Sequence, residues 1–207
     1  MATDVIAPSP QRVGSADFWV TLFPRTVYTT LAQESRNPSI YAALKRPLFL
    51  AFALGCTVSV ITAQTLIFRL VVGGTINMSF VPAVQIAGLY VVSRRRSGLS
   101  FPRLIDLFFM GQGPWILGML AYAAVWAFAT PEHAIYWTLP SRIWPAILLA
   151  VVWSAYIDFC FFRCVFRDGK TRAAWNLATQ RLISWSLGIL IFGAGAIPAH
   201  IMGVLGR

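Results

Sequence analysis

The side chains best able to do chemistry in this chain cluster in one short stretch, YIDFCFFRCVF, from Tyr156 to Phe166. Asp158 can hold a proton or a cation, Cys160 and Cys164 can ligate a metal or exchange thiols, and Arg163 can pair with an anion. At about 100° of helix per residue the two cysteines share a face and Asp158 points roughly the other way. A metal site needs further ligands at the same depth. Cys56 and His200 fall at other levels of other apolar runs. The cysteines are therefore read as small packing residues, and no catalytic, metal or cofactor-binding residue is assigned.

Asp158 asks for more, because an acid inside an apolar helix is costly unless it is paired or faces other helices. Arg163 and Arg181 are its candidate partners. A structural ion pair is the first reading, and proton or ion handling the second. Two glutamines share this ambiguity. Gln112 sits in FMGQGPW, where Gly111, Gly113 and Pro114 are expected to break or bend a helix, and Gln85 follows Pro82 in SFVPAVQIAG. Pro198 in GAGAIPAHIMG marks a third bend. Bent helices can line a cavity, but close packing through small residues explains them as well and is favoured. His200 is a candidate axial ligand for a haem or pigment, on the strength of a lone histidine only. Asp106 is expected near a helix N-terminus opened by Ser100 and Pro102, where the helix dipole favours an acid.

The elements that must position these residues follow from composition. Of 207 residues, 57% are hydrophobic and 12% charged, and the mean hydropathy is +0.68. That charge fraction is too small to face water on all sides, so an all-α polytopic membrane bundle is expected. Five segments are long and apolar enough to span: about Pro47 to Phe68, Thr75 to Val92, Leu104 to Ala129, Trp144 to Phe166, and Leu182 to Leu205. Counted between these spans, fourteen lysines and arginines fall on one side and three (Arg69, Arg142 and Arg207) on the other. The positive-inside rule then puts the N-terminus in the cytoplasm and the C-terminus outside.

Residues 1–46 are expected to form a cytoplasmic segment with short interfacial helices after a disordered start, and residues 47–207 the five-helix domain. The first residues lack the pattern of a cleavable signal peptide. RLVVGG is expected to turn the first span into the second, Tyr136, Trp137 and Trp144 to anchor the outer interface, and TRAAWNLATQR to form a brief surface helix with Trp175 and Leu177 toward lipid. Arg94, Arg95, Arg96, Arg163, Arg167, Lys170 and Arg172 are the candidate contacts to anionic headgroups. The basic charge is split among three loops, which argues against nucleic acid as a partner.

LFPRTVYTTLAQ, ALKRPLFLAFALG and SGLSFPRLIDLFFMGQGPW, with Gly98, Ser100, Phe101 and Pro114 in order, resemble the Yip family of Ypt/Rab-interacting five-helix membrane proteins, and its bacterial-type relatives above all. The resemblance covers roughly residues 22–129. It implies five spans, a cytoplasmic N-terminus and an outside C-terminus, and a fold more than an activity. Fifteen arginines against two lysines suggest a GC-rich bacterium, hence its plasma (inner) membrane.

The expected function is that of a non-catalytic accessory or scaffolding subunit, without a cofactor. It would contact lipid, other membrane-protein subunits or copies of itself. The alternatives are a small transporter or channel-like protein using Asp158, Gln112 and Gln85, and a cofactor-carrying electron-transfer subunit using His200. The charge split yields a direct test. In a background without native cysteines, an impermeant thiol reagent added from outside should label single cysteines within TPEHAIYWTL and at Arg207, but not at Arg95 or Lys170. Outside labelling of Arg95→Cys would reverse the orientation.

Overall fold

The computed structural model describes residues 13–34, 37–94, 98–127 and 138–205, and their side chains over 16–34, 37–94, 98–127 and 145–191. Among the described residues the chain is all helix. The helices are α1 (Val13–Leu22), α2 (Pro24–Gln33), α3 (Ile40–Ala63), α4 (Phe68–Met78), α5 (Phe80–Ser93), α6 (Phe101–Met110), α7 (Gly113–Ala127), α8 (Thr138–Val165) and α9 (Lys170–Leu205). Among the described residues, three stretches are long and apolar enough to cross a membrane: Ile40–Ala63, Phe68–Ser93 and Pro145–Val165. The bent pair α6–α7 makes a fourth if it is one span. The fifth expected span falls on α9, partly outside the described side chains, as do His200 and Trp144. Arg95, Arg96, Tyr136, Trp137 and the first twelve residues lie outside the described residues altogether.

The first hairpin differs from expectation. Ser39 caps α3 by accepting from the Ala42 amide at 3.3 Å, and α3 then runs through Pro47 to Ala63. The chain reverses at Gln64, whose φ of 55° lies in the left-handed region. Ser59 holds the reversal: its hydroxyl donates to the Thr65 carbonyl and accepts from the Ile67 amide, both at 2.9 Å. RLVVGG is therefore not the turn but part of α4. Its Gly74 packs backbone to backbone on Gly55 of α3, where a Cβ would come within 3.1 Å of Gly55 Cα. Two small residues facing each other let the helices approach closely.

The second span is interrupted at Ser79, three residues before Pro82. A proline has no N–H to offer the preceding turn, and its ring crowds the carbonyl four residues back, here that of Met78. The third bends by 47° between α6 and α7, at Gly111 and Gln112, as the glycines and Pro114 predict. A Cβ at Gly111 would lie 2.6 Å from the Ile157 side chain and 2.7 Å from the Tyr28 hydroxyl, so the bend presses against α8 and α2. Ser100 stands at the start of α6 in extended conformation, but its hydroxyl makes no cap; it bonds Asn37 at 3.0 Å. Asp106 is met by arginine side chains rather than by the helix N-terminus alone.

Before α9, Arg167 takes a left-handed φ of 55°. TRAAWNLATQR is not a separate surface helix but the first turns of the 36-residue α9. Trp175 is exposed there, whereas Leu177 packs against the core. That core centres on an aromatic cluster: Phe108 and Phe161 meet edge to face at 5.4 Å, Phe161 and Phe162 at 5.2 Å, and Tyr28 closes on Phe161 at 5.6 Å. Val20 and Tyr28 of the N-terminal helices belong to this same cluster and are fully buried.

The α3–α4 contact makes a paired prediction. A Cβ at Gly55 would lie 2.6 Å from the Thr75 amide nitrogen and 2.7 Å from the Val71 carbonyl oxygen, while at Gly73 nothing lies within 4 Å. Gly55→Ala should therefore cost about 1–3 kcal/mol through overpacking. Gly73→Ala should be neutral or gain up to about 1 kcal/mol from helix propensity. Melting in detergent measures both, and equal effects would refute the close contact.

Candidate functional site

The acid in YIDFCFFRCVF is fully buried, seven residues or about 10 Å of helix rise before the end of α8. Its partner is on α9: Arg181 donates to Asp158 Oδ2, while Asp158 Oδ1 has no hydrogen-bond partner. Arg163, the other candidate, is not in this pair. Cys160 packs in the aromatic core and Cys164 lies against the Arg25 carbonyl at 3.8 Å. Among the described residues no three histidine, cysteine or acidic side chains come together.

Arg181 has a second side. With Gln85 of α5 and Gln112 at the α6–α7 bend it lines a cavity of about 600 Å³ between α5, α7, α8 and α9. The walls are otherwise largely apolar: Phe80, Val84, Trp115, Val151, Trp185 and Ile189. Trp185 and Ile189 are 63% and 72% exposed and form an outward-facing rim. Gln85 and Gln112 are buried, yet Gln85 Oε1 and Gln112 Nε2 have no partner. Gln85 lies on the buried face of α5 with Pro82 and Gly88, and Gln112 lies between Gly111 and Gly113 at the bend where α6 ends and α7 begins. On the α9 side, Gln180 donates to Ser184 at 3.2 Å and Ser184 to the Val84 carbonyl at 3.1 Å. This latch seats over Gly88, where a Cβ would lie 2.7 Å from the Ser184 hydroxyl.

Two sequence-predicted polar residues, Gln85 and Gln112, are thus brought to one chamber, and Asp158 reaches it through Arg181. Sequence reasoning named Arg181 only as a partner for the acid. Its place in the wall follows from α9 beginning at Lys170 and running without a break. Trp115 and Trp185 carried no signal in the sequence beyond ordinary membrane tryptophans.

A second charge cluster also escaped the sequence reading. Arg103, 3% exposed, donates to the Leu31 carbonyl at 3.0 Å and pairs with Glu34 at 3.5 Å and Asp106 at 3.3 Å. Arg46 pairs with Asp106 and, at 2.8 Å, with Asp17. Two arginines counted as loop charge are clamps that hold α1 and the end of α2 against α3 and α6. Beneath α2, burial first and the Asp158 carboxylate second push the Tyr28 phenol well above its ordinary range and keep it neutral. Of the candidate lipid contacts, Arg94, Arg167 and Lys170 are exposed and Arg172 reaches Asp168 at 3.6 Å. Arg163 and Arg167 share a cavity of about 300 Å³ with Thr29, Gln33 and Asp168.

These features define the class: among the described residues, all helix, with several stretches long and apolar enough for a multi-pass membrane protein, and a chamber opening between α5, α7, α8 and α9. No family model matches the sequence, and no curated protein or solved structure is detectably similar to it.

The buried pair sets the stability test. Arg181→Met leaves Asp158 buried without its counter-charge and should cost about 3–5 kcal/mol. Asp158→Asn removes the charge while keeping the shape and should cost less. Asp158→Asn with Arg181→Met should recover most of the loss. Detergent melting of the set forms a double-mutant cycle, and additive losses would refute the pairing.

Proposed function

We propose that this chain is a non-catalytic, five-span protein of the bacterial inner membrane that acts by binding, holding a small amphiphile from the lipid phase in the chamber between α5, α7, α8 and α9. One observation carries the reading: two buried glutamines from different parts of the bundle, each with a polar side-chain atom that has no partner in the protein, line the same largely apolar cavity. A buried polar group left unpaired costs about 1–3 kcal/mol, which a ligand with a hydrogen-bonding head relieves. The volume lies within the range of small-molecule pockets, roughly 300–1,000 Å³.

The five spans, the cytoplasmic N-terminus and the outside C-terminus rest on the fourteen-to-three division of basic residues. The length of α9 supports the fifth span, since 36 residues rise about 54 Å against a hydrocarbon core of about 30 Å. Likeness to the Yip family is supported by the order Gly98, Ser100, Phe101 and Pro114, with α6 opening at Phe101 and Pro114 in the first turn of α7. Exposed arginines near the α5 and α8 ends fit anionic headgroups as surface partners. A small transporter is the second reading, favoured by the 47° bend beside the chamber.

Trp115 and Trp185 supply the readout. Three decyl amphiphiles, brominated at the chain end and carrying an amide, a carboxylate or an ammonium head, are titrated against the purified protein in detergent. At least one should quench tryptophan emission saturably, and Gln85→Leu with Gln112→Leu should weaken it by about tenfold without lowering the melting temperature. Trp115→Phe with Trp185→Phe should remove the saturable part. Saturation by none of the three, or binding indifferent to the glutamines, would end the chamber reading. Flux of the bound probe across proteoliposomes separates transport from holding.

A further inference from the structure

The head group that such a chamber accepts is set by the charge already in it. Arg181 is the charged side chain among the lining residues, and it enters the wall bonded to Asp158, which is fully buried behind it. An isolated guanidinium in an apolar pocket would select a carboxylate or phosphate, because a charge-assisted pair is roughly twice as strong as a neutral hydrogen bond. Here the counter-charge is in place. A second anion would leave the site with net negative charge in surroundings that solvate it poorly, and a cation would leave it net positive.

The guanidinium still has N–H donors beyond the one given to Asp158, since it carries five. Gln85 and Gln112 line the same chamber, and each keeps a polar side-chain atom without a partner in the protein. Building on the chamber reading above, we propose that the chamber selects an uncharged amphiphile whose head combines a carbonyl-type acceptor with an N–H or O–H donor, with the Asp158–Arg181 pair as its specificity determinant. The acceptor of such a head takes a hydrogen bond from Arg181, and the side-chain amides of Gln85 and Gln112, each able to donate and to accept, complete its partners. Its apolar body lies along Phe80, Trp115 and Trp185 and passes the rim toward lipid. Asp158 acts through Arg181 and is a positioning and charge-balancing residue rather than a ligand contact.

The three brominated decyl probes test this near pH 8, about where the carboxylate and the ammonium are both charged. The amide should bind about tenfold or more tightly than either charged probe. Asp158→Asn frees the Arg181 charge and should reverse the ranking, so that the carboxylate binds best. Asp158→Asn with Arg181→Gln, neutral throughout, should return the preference to the amide. Should Asp158→Asn alone fail to fold, the ranking in the unaltered protein decides: amide first supports the charge inference, and a charged probe first overturns it. A merely structural pair would change overall binding in these variants but not the order of the probes. Equal binding of all three, preference of the unaltered protein for a charged probe, or a ranking unmoved by the variants would overturn the charge inference while leaving a binding chamber in place. Saturable binding of no probe removes the chamber reading and this inference with it.

Discussion

Charge has almost no solvation in the interior of this bundle, and the folded arrangement depends on meeting that constraint. Asp158 is fully buried and is met by Arg181 from the next helix. Arg103 is nearly as buried and is met by Asp106, Glu34 and a backbone carbonyl of α2. Arg181 reaches Asp158 from another helix, and Arg103, besides Asp106 on its own helix, takes Glu34 and the Leu31 carbonyl from the α2 segment, so charge neutralisation and helix placement are the same event. Pairs of this kind contribute little net stability compared with apolar residues of equal volume, but losing one partner strands the other. They therefore specify which helices adjoin.

Backbone proximity is the second constraint, and glycine meets it. Gly55 and Gly74 bring α3 and α4 together, Gly88 seats Ser184 of α9 against α5, and Gly111 admits Tyr28 and Ile157 to the bend. Without a hydrophobic drive between helices in lipid, such close van der Waals fits and hydrogen bonds do much of the holding. The aromatic cluster around Phe108 and Phe161 then fills the space where α2, α6 and α8 meet. The chamber lies where this filling stops, beside the bend at Gly111 and Gln112. Bent helices cannot pack along their whole length, and the residues at the bend are polar or small, so space and unpaired polar atoms occur together.

The arginine clamps also change what the N-terminal helices are. An interfacial segment held only by lipid would leave Val20 and Tyr28 partly wet. Instead both are fully buried, and Arg46 and Arg103 join α1 and α2 to the same acid on α6. The basic residues near the membrane thus divide into two groups with different physics. Arg46 and Arg103 are consumed by ion pairs, while Arg94, Arg167 and Lys170 stay exposed at the surface.

Much of this was legible in the sequence. Low charge and long apolar runs point to a helical, membrane-compatible chain, because only helices and closed barrels satisfy backbone hydrogen bonds in lipid and continuous apolar runs of about 20 residues fit helices. Gly111, Gly113 and Pro114 locate the bend, and a lone aspartate in an apolar helix requires a partner. Three things waited for tertiary structure. The first hairpin turns at Gln64 rather than at RLVVGG, because glycines in a membrane helix serve close packing as readily as turning, and only the facing helix distinguishes the two. The choice of Arg181 over Arg163 depends on how α8 and α9 are rotated about their axes, which periodicity does not contain. The meeting of Gln85, Gln112 and Arg181 joins residues nearly a hundred positions apart, and local sequence carries no information about which polar side chains long-range packing leaves unpaired in one cavity.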